Sequence, residues 1–185
     1  MAMSKVTLLA LFNGILLLAL TLADFFHFLH FGLVFSYQWH KLLHLVGVVL
    51  MMGNMVVGPI WFSYAYYSGD KKLLVFAGRL LQITDVWLTI PGIFLTVING
   101  LCLAAAFGGT RNGPDWLFWS VMALFTMWVL SMPVLFLQEK MYQALAEEDT
   151  DDLKIRKLIV QWGIWGTLVM LPPTLIFYWM VMKSV

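Results

Sequence analysis

Cysteine is nearly absent. The chain has one, Cys102, which excludes an internal disulfide and any Cys-x-x-Cys haem attachment or cluster, so a haem held here is non-covalent. Charge is also scarce: 11% of the residues are Asp, Glu, Lys or Arg, and the net charge is +1. The cationic residues sit at the ends of apolar segments instead of forming a patch, so no nucleic acid is expected as a partner. What remains is apolar: 62% hydrophobic residues, 16% of the chain aromatic, and a mean hydropathy of +0.87. That composition belongs to an integral membrane protein. At roughly 20 residues per span and a short connection each, 185 residues leave room for four to six transmembrane helices.

Met1 to Lys5 followed by the apolar run from Val6 has the outline of a signal peptide with Ala23 near a cleavage point. The apolar character continues past Ala23 to Phe35, so this segment is expected to be kept as a helix. Breaking the chain at polar clusters gives five spans: Val6 to His30, Trp39 to Tyr67, Phe76 to Phe107, Pro114 to Leu145, and Leu153 to Met182. The connections are short, so consecutive helices should be antiparallel neighbours. The expected fold is an all-α membrane protein with five transmembrane helices in one integral membrane domain.

Proline divides the spans into two kinds. The second to fifth contain Pro59, Pro91, Pro133 and the pair Pro172 and Pro173, whereas the first has none. In a bilayer the carbonyls freed by proline must find partners, so prolines are tolerated where helices pack together or open a cavity. The expectation is an up-down four-helix core over residues 37–185, preceded by an added N-terminal helix over residues 1–36. With a cytoplasmic N-terminus, Lys5, Lys71, Lys72, Arg79, Lys140, Lys154, Arg156 and Lys157 lie inside and Lys41, Arg111 and Lys183 outside. This bias favours a bacterial inner-membrane protein with its N-terminus in the cytoplasm and its C-terminus in the periplasm. The acidic stretch Glu147, Glu148, Asp149, Asp151 and Asp152 reads as a solvated cytoplasmic turn, with acids favoured at the start of the last helix.

All four histidines, His27, His30, His40 and His44, fall within eighteen residues, at the boundary between the first two spans. Imidazole is the commonest metal ligand and also ligates haem iron. On helices each pair would share a face, and an antiparallel hairpin would put His27 level with His44 and His30 level with His40, in layers roughly 5 Å apart. Gly47 would remove bulk beside a flat macrocycle held by His44, and Gly32 reads as the C-cap of the first helix. Three occupants fit the pattern: a bis-His haem b, a compact copper or zinc site, or only water and lipid headgroups around interfacial side chains. Asp24 could orient an imidazole as its acceptor, or could be an interfacial acid. Asp85 is a carboxylate inside a span and therefore a functional-site candidate, with pairing to Arg79 as the alternative. Asn54 and Asn99 are expected to make interhelical hydrogen bonds.

From Lys41-Leu-Leu-His44-Leu-Val-Gly47 the pattern continues through Gly53-Asn54, Gly58-Pro59-Ile60-Trp61, Thr89-Ile90-Pro91-Gly92 and Asn99-Gly100-Leu101. It closes with Gln161-Trp162-Gly163 and the terminal Tyr178-Trp179-Met180-Val181-Met182-Lys183. From Tyr37 to the C-terminus this resembles predicted bacterial integral membrane proteins of unknown function, distant relatives of the HemJ-type protoporphyrinogen oxidases and the CopD-type copper-resistance proteins. The resemblance implies haem b at His44. The spacing from Arg79 to Pro91 is longer than in HemJ-type enzymes and their later basic segment is missing, so porphyrinogen oxidation is not the expected activity. The expected function is a membrane redox reaction or electron transfer through haem b near the outer face, linking a quinone-type donor to a periplasmic acceptor. A copper-handling or metal-transport protein using the same histidines is the alternative. So is an accessory subunit of a larger membrane complex without chemistry of its own; the expected assembly is a homo-oligomer or such a complex.

Overall fold

The structure is a computed structural model and describes residues 3–147 and 151–184. Among the described residues there is no β-strand, and five helical segments are long and apolar enough to cross a membrane. They are α1 (Lys5–Phe25), α2 (Tyr37–Tyr67), a third span running Lys71–Phe107, α6 (Asp115–Ala146) and α7 (Asp152–Met182). The third span is a composite of α3 (Lys71–Thr84), a π-helical turn (Asp85–Thr89), α4 (Ile90–Ala104) and a 3-10 turn (Ala105–Phe107). A single short turn, α5 (Gly109–Asn112), leads from it into α6. The five spans follow the hydrophobic segmentation of the sequence.

The starts of α1, α3 and α7 are set by short polar side chains that satisfy first-turn amides. The Ser4 hydroxyl accepts from the Thr7 N–H at 3.2 Å, the Asp70 carboxylate from Lys72 at 2.8 Å and Leu73 at 3.3 Å, and that of Asp151 from Leu153 at 3.0 Å. Glu148 and Asp149 of the acidic stretch lie outside the described residues.

Two corrections concern the first helix. It stops at Phe25, five residues short of His30. The stop is a Schellman turn: the His27 N–H donates to the Asp24 carbonyl at 3.0 Å and the Phe28 N–H to that of Ala23 at 2.8 Å. His27, with φ of +63°, holds the left-handed position assigned above to Gly32. His27 and His30 are thus exposed loop residues and share no helix face.

α6 packs along α7, and α2 along α4. The α2–α4 seam brings backbone against backbone. A Cβ on Gly47 would lie 2.6 Å from the Thr96 nitrogen and 2.7 Å from the Gly92 carbonyl oxygen, and one on Gly92 would lie 2.7 Å from the Met51 nitrogen. Small residues permit such approaches in the bilayer, where dispersion and close packing replace the hydrophobic drive. Gly47 therefore serves this seam, and not the wall of a cofactor site as the sequence had suggested. The buried core concentrates where α2, α3, α6 and α7 meet, around Phe62, Leu81, Met141 and Trp162. A second cluster ties α1 to α4 and α6 through Leu17, Val97, Leu101 and Trp128.

Candidate functional site

Among the described residues, two partly open cavities are stacked along the bundle. The outer one, at the end where α2 begins and α7 finishes, has a volume of ≈ 380 Å³ and is lined by Lys41, His44, Thr96, Gly100, Trp116 and Lys183 among mostly apolar side chains. The inner one, ≈ 210 Å³, is lined by Asn54, Asp85, Thr89, Gln138, Glu139 and Trp162. Met51, Ile93 and Met127 line both and form the partition between them.

The four histidines are not brought together. His44 alone lines the outer cavity. Its Nδ1 lies 2.7 Å from the Thr96 carbonyl oxygen; a carbonyl only accepts, so Nδ1 carries the proton and Nε2 keeps its lone pair. Nε2 has no hydrogen-bond partner among the described residues. An imidazole tied through one nitrogen to a backbone carbonyl, with the other left as a lone pair, is the arrangement of a ligating histidine. Gly100 makes room for this ring, since a Cβ there would meet its Cε1 and Nδ1 at 3.3 Å. Thr96, itself part of the seam beside Gly47, supplies the anchoring carbonyl, and its buried hydroxyl has no hydrogen-bond partner.

His40 is fully used inside the protein. Its Nε2 accepts from the backbone N–H groups of Val34 at 3.1 Å and Phe35 at 3.2 Å. Nδ1–H then donates to Asn99 Oδ1 at 2.8 Å, and Asn99 Nδ2 donates to the Leu95 carbonyl at 2.9 Å. His40 is a staple that ties the loop after α1 to α2 and α4, with no lone pair left for a metal. His27 and His30 lie side by side in the loop, ring centroids 5.8 Å apart and planes tilted by 39°, and neither lines the outer cavity. Among the described residues no three His, Cys, Asp or Glu side chains are grouped to hold a metal ion. Asp24 orients no imidazole: it accepts from the Thr110 hydroxyl at 2.7 Å and the Phe31 N–H at 3.5 Å, fixing the loop to α5.

The cavity mouth is cationic. Lys41 and Lys183 come from opposite ends of the sequence and line the same rim. The Lys183 ammonium lies 3.4 Å from the centroid of the Trp116 ring, a cation–π contact. Desolvation there, followed by the charge of Lys41, lowers Lys183 below the ordinary lysine pKa.

In the inner cavity Asp85 accepts from Asn54 Nδ2 at 3.1 Å, the Thr89 hydroxyl at 3.0 Å and Gln138 Nε2 at 2.6 Å. Arg79 is exposed on α3 and is not among these partners. The π-helical turn explains the register. Pro91 has no N–H and crowds the carbonyl a turn before it, and the chain responds by widening so that the Ile90 N–H reaches back to the Asp85 carbonyl. Such single π-turns are frequent at functional sites. Asn54 and Asn99 both bond across helices, as expected. Thr96, Gly100, Lys183, Gln138 and Trp162 were not singled out as site residues from the sequence, although a glutamine in the apolar stretch of α6 was a visible signal for Gln138.

The fold and cavities define a five-span helical membrane protein with two chemically distinct sites inside the bundle. Residues 38–184 match the sequence profile of a family described as predicted integral membrane protein (DUF2269), and the chain belongs to that family. The match begins one residue after the start of α2 and leaves α1 outside it. No curated protein and no solved structure matches the chain.

Proposed function

We propose that the outer cavity binds haem b through His44 and that the protein acts in membrane electron transfer. The observation that carries this reading is the His44 imidazole: tied to the Thr96 carbonyl through Nδ1, with Nε2 unpartnered beside an apolar cavity. The cavity volume of ≈ 380 Å³ falls in the range of cofactor and ligand sites, about 300–1,000 Å³. Apolar walls suit a macrocycle, and Lys41 and Lys183 at the rim suit its carboxylates. When bound, haem b supplies one-electron redox chemistry. The chain's own residues do the rest. Thr96 fixes the imidazole orientation and its basicity, Gly100 leaves space for the ring, and the apolar walls keep water from the iron. With His40 engaged and His27 and His30 away from the cavity, His44 is the one histidine that would hold the haem. The distribution of basic residues supports a bacterial inner-membrane location with the cavity at the periplasmic face, where a soluble redox partner would approach. Copper handling is less favoured, because the four imidazoles it would draw on are dispersed.

The visible spectrum of detergent-purified protein tests this reading, oxidised and after dithionite. A Soret band with high-spin character that disappears in His44→Ala and persists in His27→Ala and His30→Ala is expected. Protein that carries no Soret band and takes up none from added haemin overturns it.

A further inference from the structure

Two carboxylates line the inner cavity, and they differ in how many of their acceptor positions are used. A carboxylate has about four lone-pair sites. Glu139 fills its sites: Oε1 accepts from the Ser4 N–H at 3.1 Å and Gln143 Nε2 at 2.7 Å, and Oε2 from the hydroxyls of Ser4 at 2.6 Å and Thr7 at 2.5 Å. It is a clasp that docks the start of α1 on α6. Asp85 fills one fewer: Oδ1 takes the Asn54 and Thr89 bonds, and Oδ2 only that from Gln138. All three partners donate, so the arrangement suits the ionised carboxylate and leaves a lone pair open on Oδ2. None of the three carries a charge, and no Lys, Arg or His is among the residues lining the cavity. An ionised group inside the membrane without a counter-charge is costly and marks a functional site. Trp162, 7% exposed, also lines this cavity, and its buried indole N–H has no hydrogen-bond partner. The remaining lining is soft and apolar, with Met55, Met132 and Met170 and the ring of Trp128.

We infer that the inner cavity is a binding site for a lipophilic organic amine. The ammonium donates to the open Oδ2 of Asp85 and supplies the missing charge. The apolar body lies among the methionines, whose flexible thioethers adapt to varied shapes, and against the tryptophan rings, whose faces attract cations. A bare metal ion suits the cavity less, since hard cations take six or more oxygen ligands and these walls are mostly apolar. This site lies in a different cavity from the haem reading and does not rest on it.

Calorimetric titration of the full-length protein in nanodiscs, with empty nanodiscs as blank, tests the inference with phenylbutylamine and its neutral isostere phenylbutanol. The amine should bind at least about tenfold tighter than the alcohol, and Asp85→Asn should remove that preference, as expected on losing one partner of a buried charge pair. Equal binding of amine and alcohol to the unaltered protein overturns the inference, and so does a preference that survives in Asp85→Asn. The first comparison needs no variant, so it decides the matter even if Asp85→Asn does not accumulate.

Discussion

The two cavities share a wall but have opposite electrostatic character. The outer is lined by Lys41, His44 and Lys183 and by no Asp or Glu; the inner by Asp85 and Glu139 and by no Lys, Arg or His. All five spans contribute to both. What separates them is one partition, Met51, Ile93 and Met127, beside the glycine seam. A bundle this small thus places cationic side chains in one cavity and carboxylates in the other, with an apolar partition between them.

The largest effect should come from breaking the seam on which both cavities depend. In Gly47→Ala the new Cβ meets backbone atoms at 2.6 and 2.7 Å, and backbone cannot yield as a side chain does. A loss at or above the upper end of the usual overpacking cost, about 3 kcal/mol, is expected. Thermal unfolding in detergent should drop sharply, whereas Gly53→Ala, whose Cβ meets nothing within 4 Å, should be neutral or slightly stabilising. Equal melting of the two variants would remove the seam as the shared support.

Next in size is the contrast between neighbouring histidines. His40→Ala leaves the Val34 and Phe35 amides and the Asn99 oxygen without their partner, at a cost of about 2–3 kcal/mol, and should lower stability while keeping a Soret band. His44→Ala should do the reverse. If both variants lose the band at equal stability, the two imidazoles share one role and the division between staple and ligand is wrong.

Independence of the cavities gives a third test. Asp85→Asn should leave the Soret maximum unmoved, and His44→Ala should leave amine binding unchanged to within about twofold, because sites without shared partners behave additively. Glu139→Ala, by contrast, removes four acceptor contacts to the start of α1 and Gln143. It should expose α1 to proteolysis without moving the Soret band.

The smallest effect is expected at the rim. Lys183→Gln removes one exposed cation with a cation–π contact, a change of about 0.5–1 kcal/mol, and should speed haem loss to apomyoglobin several-fold at most. Partial desolvation, followed by the charge of Lys41, lowers the Lys183 pKa, so its charge disappears on going alkaline sooner than that of an ordinary lysine. Capture of an anionic group should therefore weaken with rising pH in the parent protein and less so in Lys183→Gln.

Much of the architecture is readable from the chain. Five apolar runs separated by polar breaks give five spans, because a bilayer-crossing backbone must satisfy its own hydrogen bonds and a helix does so within the segment. The break residues Ser4, Asp70 and Asp151 cap helices for the same local reason. Asp85 was conspicuous as an acid inside an apolar run. The histidine cluster, in contrast, was misleading: closeness in sequence suggested a shared site, yet a Schellman turn at His27 swings two imidazoles into the loop and main-chain donors claim a third.

Sequence alone therefore determined that the chain is an all-α, five-span membrane protein, since hydropathy and capping act over a few residues and are written locally; for the site it offered all four histidines with Asp24, Asp85 and Arg79 as candidates. Only the tertiary structure decided which imidazole keeps a free nitrogen, that Lys41 and Lys183 share one rim, and that Asp85 meets Gln138 but no cation. Those outcomes depend on which carbonyls, amides and charges the packed helices bring within hydrogen-bond reach of one another, across separations of up to 142 residues that no local pattern records.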